Sequence, residues 1–279
     1  MTTSLRMRQL GPADEAALRA FWAPEPQAHL FAIPDLDTMG WTDARLTYTG
    51  WFEGNRLVAY LMLYGISAQW SYVDDRAVPD IARLITERGP LFMTGMECTA
   101  WPVLNLLPKG SVGRHEPSTV AVLPRERFNP ATLYDSPGQA RLATPRDLDR
   151  LTEVHVAAPD QFNNLDFPAR RRALSSAIHD PARRVFLVET PEGRFAASAQ
   201  TSAEGRDMAV IGGVVTHPEL RGRGYGTLAT AHLSASLLED GVIPYLFYRR
   251  DNTPAARVYQ KIGYVPLGDS LLAELEWRR

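Results

Sequence analysis

The feature that most constrains the fold is a β-prone run, a glycine-rich turn and a helix, in that order, between residues 208 and 238. The run 208–216 ends in Val214, Val215 and Thr216, and the turn reads Arg-Gly-Arg-Gly-Tyr-Gly over residues 221–226. Glycine lets backbone N–H groups approach a ligand with no Cβ in the way, and the first amides of a helix carry partial positive charge. The segment therefore predicts an anion cradle at the start of a helix.

The charges around this turn support the same interpretation. Helices favour acidic residues in their first turn, yet residues 225–236 contain none, and Arg221 and Arg223 come just before them. Taken alone, the hexapeptide is equally compatible with a plain glycine turn whose arginines face solvent. A P-loop is disfavoured because Gly-x-x-x-x-Gly-Lys-Ser/Thr is absent, and a dinucleotide fingerprint is disfavoured because Thr227 replaces its third glycine.

A second module lies downstream, where a predicted strand over residues 242–248 leads into a predicted helix over residues 255–262. Asn252 or Thr253 is typical of a helix cap, Pro254 suits the first turn, and Gly263 suits the residue after the helix. The helical spacing places Tyr259 beside the apolar face, from which it can point into a cleft.

Together the two modules resemble the GNAT superfamily of N-acetyltransferases over residues 140–275. The family pattern Arg/Gln-x-x-Gly-x-Gly/Ala is met by Arg221, Gly224 and Gly226. The second pattern, Asn-x-x-Ala-x-x-x-Tyr-x-x-x-Gly-Phe/Tyr, is met by Asn252, Ala255, Tyr259, Gly263 and Tyr264.

This resemblance implies direct transfer of an acetyl group from acetyl-CoA to a primary amine of a small molecule or peptide, without a metal. Tyr259 would be the general acid for the CoA thiolate, and residues 212–213 would permit a bulge in the strand. The residues that the resemblance implies for binding acetyl-CoA are Val214, Val215, Thr216, Arg221, Gly222, Arg223, Gly224, Tyr225, Gly226, Thr227 and Asn252. A sensor or scaffold that binds acyl-CoA without turnover is the alternative.

The general base has no obvious candidate, because the strand 208–216 lacks the glutamate that many GNAT enzymes keep there. His217 is expected to cap the turn, and His155 and His179 are expected to be ordinary histidines. Residues 160–164, Asp-Gln-Phe-Asn-Asn, form a substrate-facing loop by analogy with the family. His, Cys and acidic residues show no spacing typical of a metal site.

The chain is also predicted to be an internal duplication. Residues 5–21 and 140–156 both show a strand followed by a helix, and hairpins are predicted at 46–64 and 185–201. Turn signals near the midpoint divide the chain into domains 1–135 and 136–279. The fold class is α+β / α/β, with two GNAT-like domains that each hold a mixed, mostly antiparallel sheet flanked by helices.

The first half is expected to be degenerate and without a CoA motif. Its counterpart of the glycine turn, residues 74–79, has two acids and no glycine, so a pyrophosphate would be repelled there. The helix predicted over residues 99–107 lacks the Asn-to-Tyr pattern. A role in structure, or in lining the substrate cleft, is expected. Trp41, Trp51, Trp70 and Trp101 are interpreted as core residues.

Composition limits the partners. The 30 Lys and Arg against 32 Asp and Glu leave no net field that favours a polyanion, so nucleic acid is not expected. The single cysteine, Cys98, and an N-terminus without a signal-like apolar region fit a cytoplasmic protein. The apolar runs are too short to span a membrane. A monomer or a homodimer is expected.

Overall fold

The computed structural model describes residues 4–158 and 165–277. The chain forms two compact units, and neither is one continuous stretch of sequence. Unit 1 comprises Met1–Val120, Phe247–Asp251 and Leu267–Arg279, whereas unit 2 comprises Ala121–Leu246 and Asn252–Pro266.

The described residues form twelve strands and eight α-helices. The strands are β1 (Arg6–Gln9), β2 (Leu46–Glu53), β3 (Arg56–Tyr64), β4 (Ser67–Tyr72), β5 (Phe92–Met96), β6 (Val112–Val122), β7 (Gln139–Leu142), β8 (Val185–Glu189), β9 (Phe195–Glu204), β10 (Met208–Thr216), β11 (Ile243–Arg249) and β12 (Val265–Leu275). The α-helices are α1 (Glu15–Trp22), α2 (Ala32–Met39), α3 (Val78–Arg88), α4 (Glu97–Leu104), α5 (Leu148–Ala157), α6 (Phe167–His179), α7 (Tyr225–Glu239) and α8 (Thr253–Ile262). Within residues 4–158 and 165–277, no helix combines the length and apolar character needed to cross a membrane.

The same arrangement of elements occurs in both units. In unit 1, β1, β2, β3 and β4 pair antiparallel in sequence order, and β4 then pairs parallel with β5. In unit 2, β7 to β10 pair in the same antiparallel way, and β10 pairs parallel with β11. A helix pair follows the first strand of each series, and one helix connects each parallel pair. The predicted duplication and the mixed, mostly antiparallel sheets are therefore confirmed.

Aromatic side chains fill the core of unit 1, as the sequence predicts. Trp51 and Trp70 are completely buried among residues of β3, α3 and α4. Trp41 and Trp101 are partly buried against the edges of the two apolar clusters of this unit. Burial of such large rings is a major source of stabilisation.

The last strand of the chain, β12, lies in the sheet of unit 1. Its residues Ser270–Glu274 pair antiparallel with Phe92–Met96 of β5, and Leu271 and Ala273 are fully buried in the unit 1 core. The division into domains 1–135 and 136–279 stays a prediction, and the compact units differ from it here. Alternating apolar residues stabilise β12 wherever a sheet edge accepts them, so its sequence does not specify which sheet it joins.

The turn after β4, which corresponds to the glycine turn of unit 2, is closed by acidic side chains. Asp74 accepts a hydrogen bond from the backbone N–H of Arg76, and the Arg76 guanidinium pairs with Asp74 and Glu53. These carboxylates lie in the turn that leads into α3 and add negative charge there. The absence of pyrophosphate binding at this turn stays a prediction.

Candidate functional site

Strand β10 changes its environment halfway along its length. Its first residues, Met208–Ile211, are buried and pair with β11, whereas every residue from Gly212 to Thr216 is only half-buried. The register against β9 shifts between Gly212 and Val215, and Gly213 has a left-handed φ of 54°. The predicted bulge is therefore present, and Val214, Val215 and Thr216 follow it in the half-buried end of the strand.

Glycine is required at this bulge for lack of space as well as for backbone geometry. A Cβ on Gly213 would lie 2.9 Å from the Cγ atom of Gln200, and a Cβ on Gly212 would collide with the Ser202 hydroxyl. Both neighbours belong to β9. Two side chains on β9 thus pack against the bulged backbone, and the left-handed φ of Gly213 further favours glycine there.

The glycine turn presents the start of α7 without a side-chain cap. Gly222 and Gly224 have φ values of 75° and 82°, and Gly224 occupies the N-cap position of the helix. No described side chain accepts a hydrogen bond from this N-terminus, and its first turn contains no acid. The amides of Tyr225, Gly226 and Thr227 are thus left to bind an external anion.

The space around the turn favours glycine at the motif positions. A Cβ on Gly224 would lie 2.9 Å from the backbone oxygen of Asp135, and one on Gly226 would lie 2.8 Å from Oγ1 of Thr216. The first contact fixes the turn against residue 135, and the second closes the end of β10 against the first turn of α7. The close-packed backbone therefore favours glycine at both positions.

The other predicted binding residues differ in exposure. Arg221 and Arg223 are exposed, and the Nε atom of Arg221 donates to the backbone oxygen of Thr216 over 3.4 Å. Tyr225 and Thr227 are buried, so their backbone rather than their side chains can serve a ligand. The assignment of these residues to acetyl-CoA stays a prediction.

Helix α8 begins and ends as the sequence predicts. Oδ1 of Asn252 accepts from the N–H of Ala255 over 3.1 Å, and Pro254 lies in the first turn. Gly263 ends the helix with a φ of 116°, and a Cβ there would collide with the backbone of Arg127. Because the cap uses the amide oxygen of Asn252, its Nδ2 group is the part left for a ligand.

Tyr259 is connected to the glycine-turn helix through a second tyrosine. Its side chain is 8% exposed, and its ring packs edge-on against Tyr264 with centroids 5.9 Å apart. The Tyr264 hydroxyl is 2.8 Å from Oγ of Ser234 on α7. Unit 2 therefore brings the helices of both motifs together, and the sequence alone does not show this connection.

A buried histidine lies one strand away from the bulge. Nε2 of His155 on α5 is 2.8 Å from Oγ of Ser198 on β9, and Ser198 stands opposite Val215 in the register. Burial, with the charge of Arg170 as a second cause, lowers the pKa of His155 to about 3. His155 is therefore a neutral hydrogen-bonding partner at pH 7. Sequence reasoning missed its partner because the pair joins residues far apart in the chain.

His217 takes the predicted position but does not cap with its side chain. It occupies the N-cap of the 3-10 turn Pro218–Leu220, with no capping bond from the imidazole. Its Nδ1 atom is buried and has no partner in the described part of the chain. His217 therefore caps the turn by its position and through its backbone oxygen, which accepts from the N–H of Leu220 over 2.9 Å, and not through its imidazole.

Lowering the pH should destabilise unit 2 through His155. Between about pH 6.5 and pH 3, the unfolded chain binds a proton that the folded imidazole does not, so the free energy of unfolding falls as the pH falls. The slope is about 1.4 kcal/mol per pH unit for this histidine. Urea unfolding from pH 7 to pH 5 should therefore show a smaller slope in His155→Gln. Val154→Ala, a buried apolar change on the same helix, is the control and should lower the free energy of unfolding equally at every pH. Equal slopes in His155→Gln and the wild type would contradict the role of His155 in the pH dependence.

Two predictions concern other sites. The loop 160–164, expected to face the substrate, lies outside the described residues. Among the residues that the structure does describe, no three or more His, Cys, Asp or Glu side chains are grouped so that they could hold a metal ion.

Comparison with known proteins agrees with this geometry. Residues 195–271 match the FR47-like protein family, a stretch that contains the bulged strand, the glycine turn and α8. No curated protein matches the sequence.

Solved structures show the same fold at low sequence identity. A Drosophila protein has a TM-score of 0.69 at 12% identity and covers 97% of this chain and 98% of its own. A GCN5-related N-acetyltransferase from Sphaerobacter thermophilus has a TM-score of 0.61 at 16% identity, covering 97% of this chain and 95% of its own. A tandem GNAT protein from the clavulanic acid biosynthesis pathway has a TM-score of 0.57 at 15% identity and covers 99% of this chain and 100% of its own.

These likenesses span both units and show the fold, while the FR47-like match and the two motifs fall mainly in unit 2. Residues 195–271 are therefore similar to the FR47-like family, and the chain has the fold of tandem GNAT proteins, with both GNAT-like motifs in its second copy of that fold.

Proposed function

We propose that the protein is an N-acetyltransferase that transfers an acetyl group from acetyl-CoA to a primary amine of a small molecule or peptide. One observation carries the proposal: a half-exposed, bulged strand runs directly into an uncapped glycine turn, and the helix with Tyr259 packs beside it. A cytoplasmic monomer or homodimer fits the single cysteine and the balanced charge.

Different residues of unit 2 would bind different parts of acetyl-CoA. The amides of residues 222–227 would hold the pyrophosphate, because the start of α7 has neither a capping side chain nor an acid in its first turn. The backbone of Val214, Val215 and Thr216 would hydrogen-bond the pantetheine arm, helped by the amide nitrogen of Asn252. When bound, acetyl-CoA supplies a thioester that is open to attack by an amine.

Tyr259 would act as the general acid that donates its phenolic proton to the departing sulfur. An unperturbed phenol has a pKa of about 10 and is therefore protonated at neutral pH. Alignment of the amine and the thioester would supply much of the rate. No base is assigned, and a water molecule can carry the amine proton to solvent.

Unit 1 would not take part in the chemistry. Asp74 and Glu53 surround the turn that corresponds to the glycine turn, and their negative charge opposes a pyrophosphate. We propose that unit 1 is a structural copy of the fold.

The reaction can be tested by measuring thiol release from acetyl-CoA in the presence of polyamines, aminoglycosides and peptides. Cys98 is the chain's single thiol and is exposed, so Cys98→Ser ensures that the signal reports CoA alone. We expect release that depends on one class of acceptor. Tight CoA binding without acceptor-dependent release would instead favour the sensor, and absence of CoA binding would overturn both functions.

A further inference from the structure

The segment between β6 and β7 is fixed against the two helices that carry the GNAT motifs. The backbone N–H of Asn129 donates to the oxygen of Ile262 over 2.9 Å, and its Nδ2 donates to the oxygen of Lys261 over 3.1 Å. Thr132 is buried, and the backbone oxygen of Asp135 faces Gly224. This connecting segment is thus an ordered wall of the glycine turn.

A charged pair lies at the edge of the turn. Oδ2 of Asp135 is 3.3 Å from the position that a Cβ on Gly224 would occupy, and Oδ1 of the same carboxylate pairs with the ammonium of Lys261. Lys261 is on the last turn of α8, and its side chain is 52% exposed. The Asp135 carboxylate therefore lies between the ammonium of Lys261 and the predicted pyrophosphate site at Gly224.

The sequence makes this cation unusual. Of the 30 basic residues, only Lys109 and Lys261 are lysines, so the chain otherwise uses arginine for its positive charges. A lysine ammonium is a compact charge on a flexible stem that can move from one anionic partner to another. Lys261 can therefore leave Asp135 for a phosphate without rebuilding the helix.

An exposed aromatic ring precedes Asp135. Tyr134 is 84% exposed, more than any other large apolar or aromatic side chain in the described residues. Its backbone belongs to the 3-10 turn Pro130–Tyr134, which packs against α7 and α8. The backbone that carries this exposed ring is therefore packed against the helices of both motifs, next to Asp135.

We infer that Tyr134 and Lys261 form a subsite for the adenosine 3′-phosphate end of CoA. The ammonium of Lys261 binds the 3′-phosphate, the ring of Tyr134 stacks on the adenine, and Asp135 keeps Lys261 at the turn before the ligand arrives. The inference rests on the proposed function, because it assumes that the pyrophosphate lies on the start of α7.

Three ligands separate the parts of this subsite in a calorimetric binding experiment: CoA, dephospho-CoA, which lacks the 3′-phosphate, and 4′-phosphopantetheine, which lacks the adenosine. The wild-type protein should bind CoA about tenfold more tightly than dephospho-CoA, as one charge-assisted contact predicts. Lys261→Met should remove this preference, and because it also leaves the Asp135 carboxylate unpaired beside the turn, dephospho-CoA should bind somewhat more weakly than to the wild type. Lys109→Met removes the same charge at an exposed position in unit 1 and should preserve the preference.

The stacking contact is tested separately. Tyr134→Ala should weaken CoA and dephospho-CoA alike by about tenfold, within the range of base stacking on an aromatic ring, and leave 4′-phosphopantetheine unchanged. Tyr134→Phe should restore the affinity. A uniform loss for all three ligands in Tyr134→Ala would show damage to the turn and would overturn the adenine contact.

The small number of lysines permits a test on the unmodified protein. Saturating CoA should protect Lys261 from an amine-reactive reagent, detected by mass spectrometry, whereas dephospho-CoA should not, and Lys109 provides the internal standard. Equal affinity of the wild type for CoA and dephospho-CoA, or equal protection by both, would overturn the subsite while leaving the proposed function intact. If neither ligand binds, the proposed function itself fails.

Discussion

Tyr259→Phe should lower kcat by about 10²–10⁴-fold while leaving the affinity for acetyl-CoA nearly unchanged, as expected for the loss of a general acid. The substitution keeps the ring that packs edge-on against Tyr264 and removes only the hydroxyl. Binding by the backbone of β10 and the turn does not depend on that hydroxyl. Steady-state thiol release gives kcat, and calorimetry with CoA gives the affinity.

Tyr264→Phe is the matched control for this prediction. It removes the hydroxyl of the other tyrosine in the ring pair. The lost hydrogen bond to Ser234 should lower the free energy of unfolding by about 1 kcal/mol. Its kcat should stay close to that of the wild type. If Tyr259→Phe also retained full turnover, Tyr259 would have no part in the chemistry.

Gly224→Val should weaken CoA binding by about 100-fold or more. A left-handed φ costs a residue other than glycine roughly 1–2 kcal/mol, and a β-branched side chain makes it worse. The new Cβ would also meet the backbone oxygen of Asp135 at 2.9 Å, so the turn or its wall must move. The amides that are predicted to hold the pyrophosphate would then lose their alignment. Titration calorimetry with CoA measures the loss.

Substitutions at two other glycines distinguish the cost of the left-handed φ from the steric clash with Asp135. Gly241 follows the far end of α7 with the same φ of 82° and no atom within 4 Å of a Cβ, so Gly241→Val should reduce stability without affecting CoA binding. Gly222 lies in the turn but also has open space around it, and Gly222→Val should weaken binding less than Gly224→Val does. Normal CoA affinity in Gly224→Val would contradict the assignment of the turn.

Local elements could be predicted from the sequence almost to the residue. The strand Met208–Thr216, the helix that follows the glycine turn and the limits of α8 depend on caps, turns and the apolar pattern of neighbouring residues. The bulge could be predicted too, because Gly212 and Gly213 signal it. The side chains of Gln200 and Ser202 that demand those glycines could not, since they belong to another strand.

Residues close in the chain specify the duplicated architecture, the glycine turn and the helix with Tyr259, so these features could be predicted. Long-range packing places β12 in the sheet of unit 1, pairs His155 with Ser198, and brings Asp135 and Lys261 together at the glycine turn. These contacts join residues that are tens to hundreds of positions apart. A strand can pair with many sheet edges and a charged side chain with many opposite charges, so the local sequence does not specify the partner. The packing of each unit selects one partner for each.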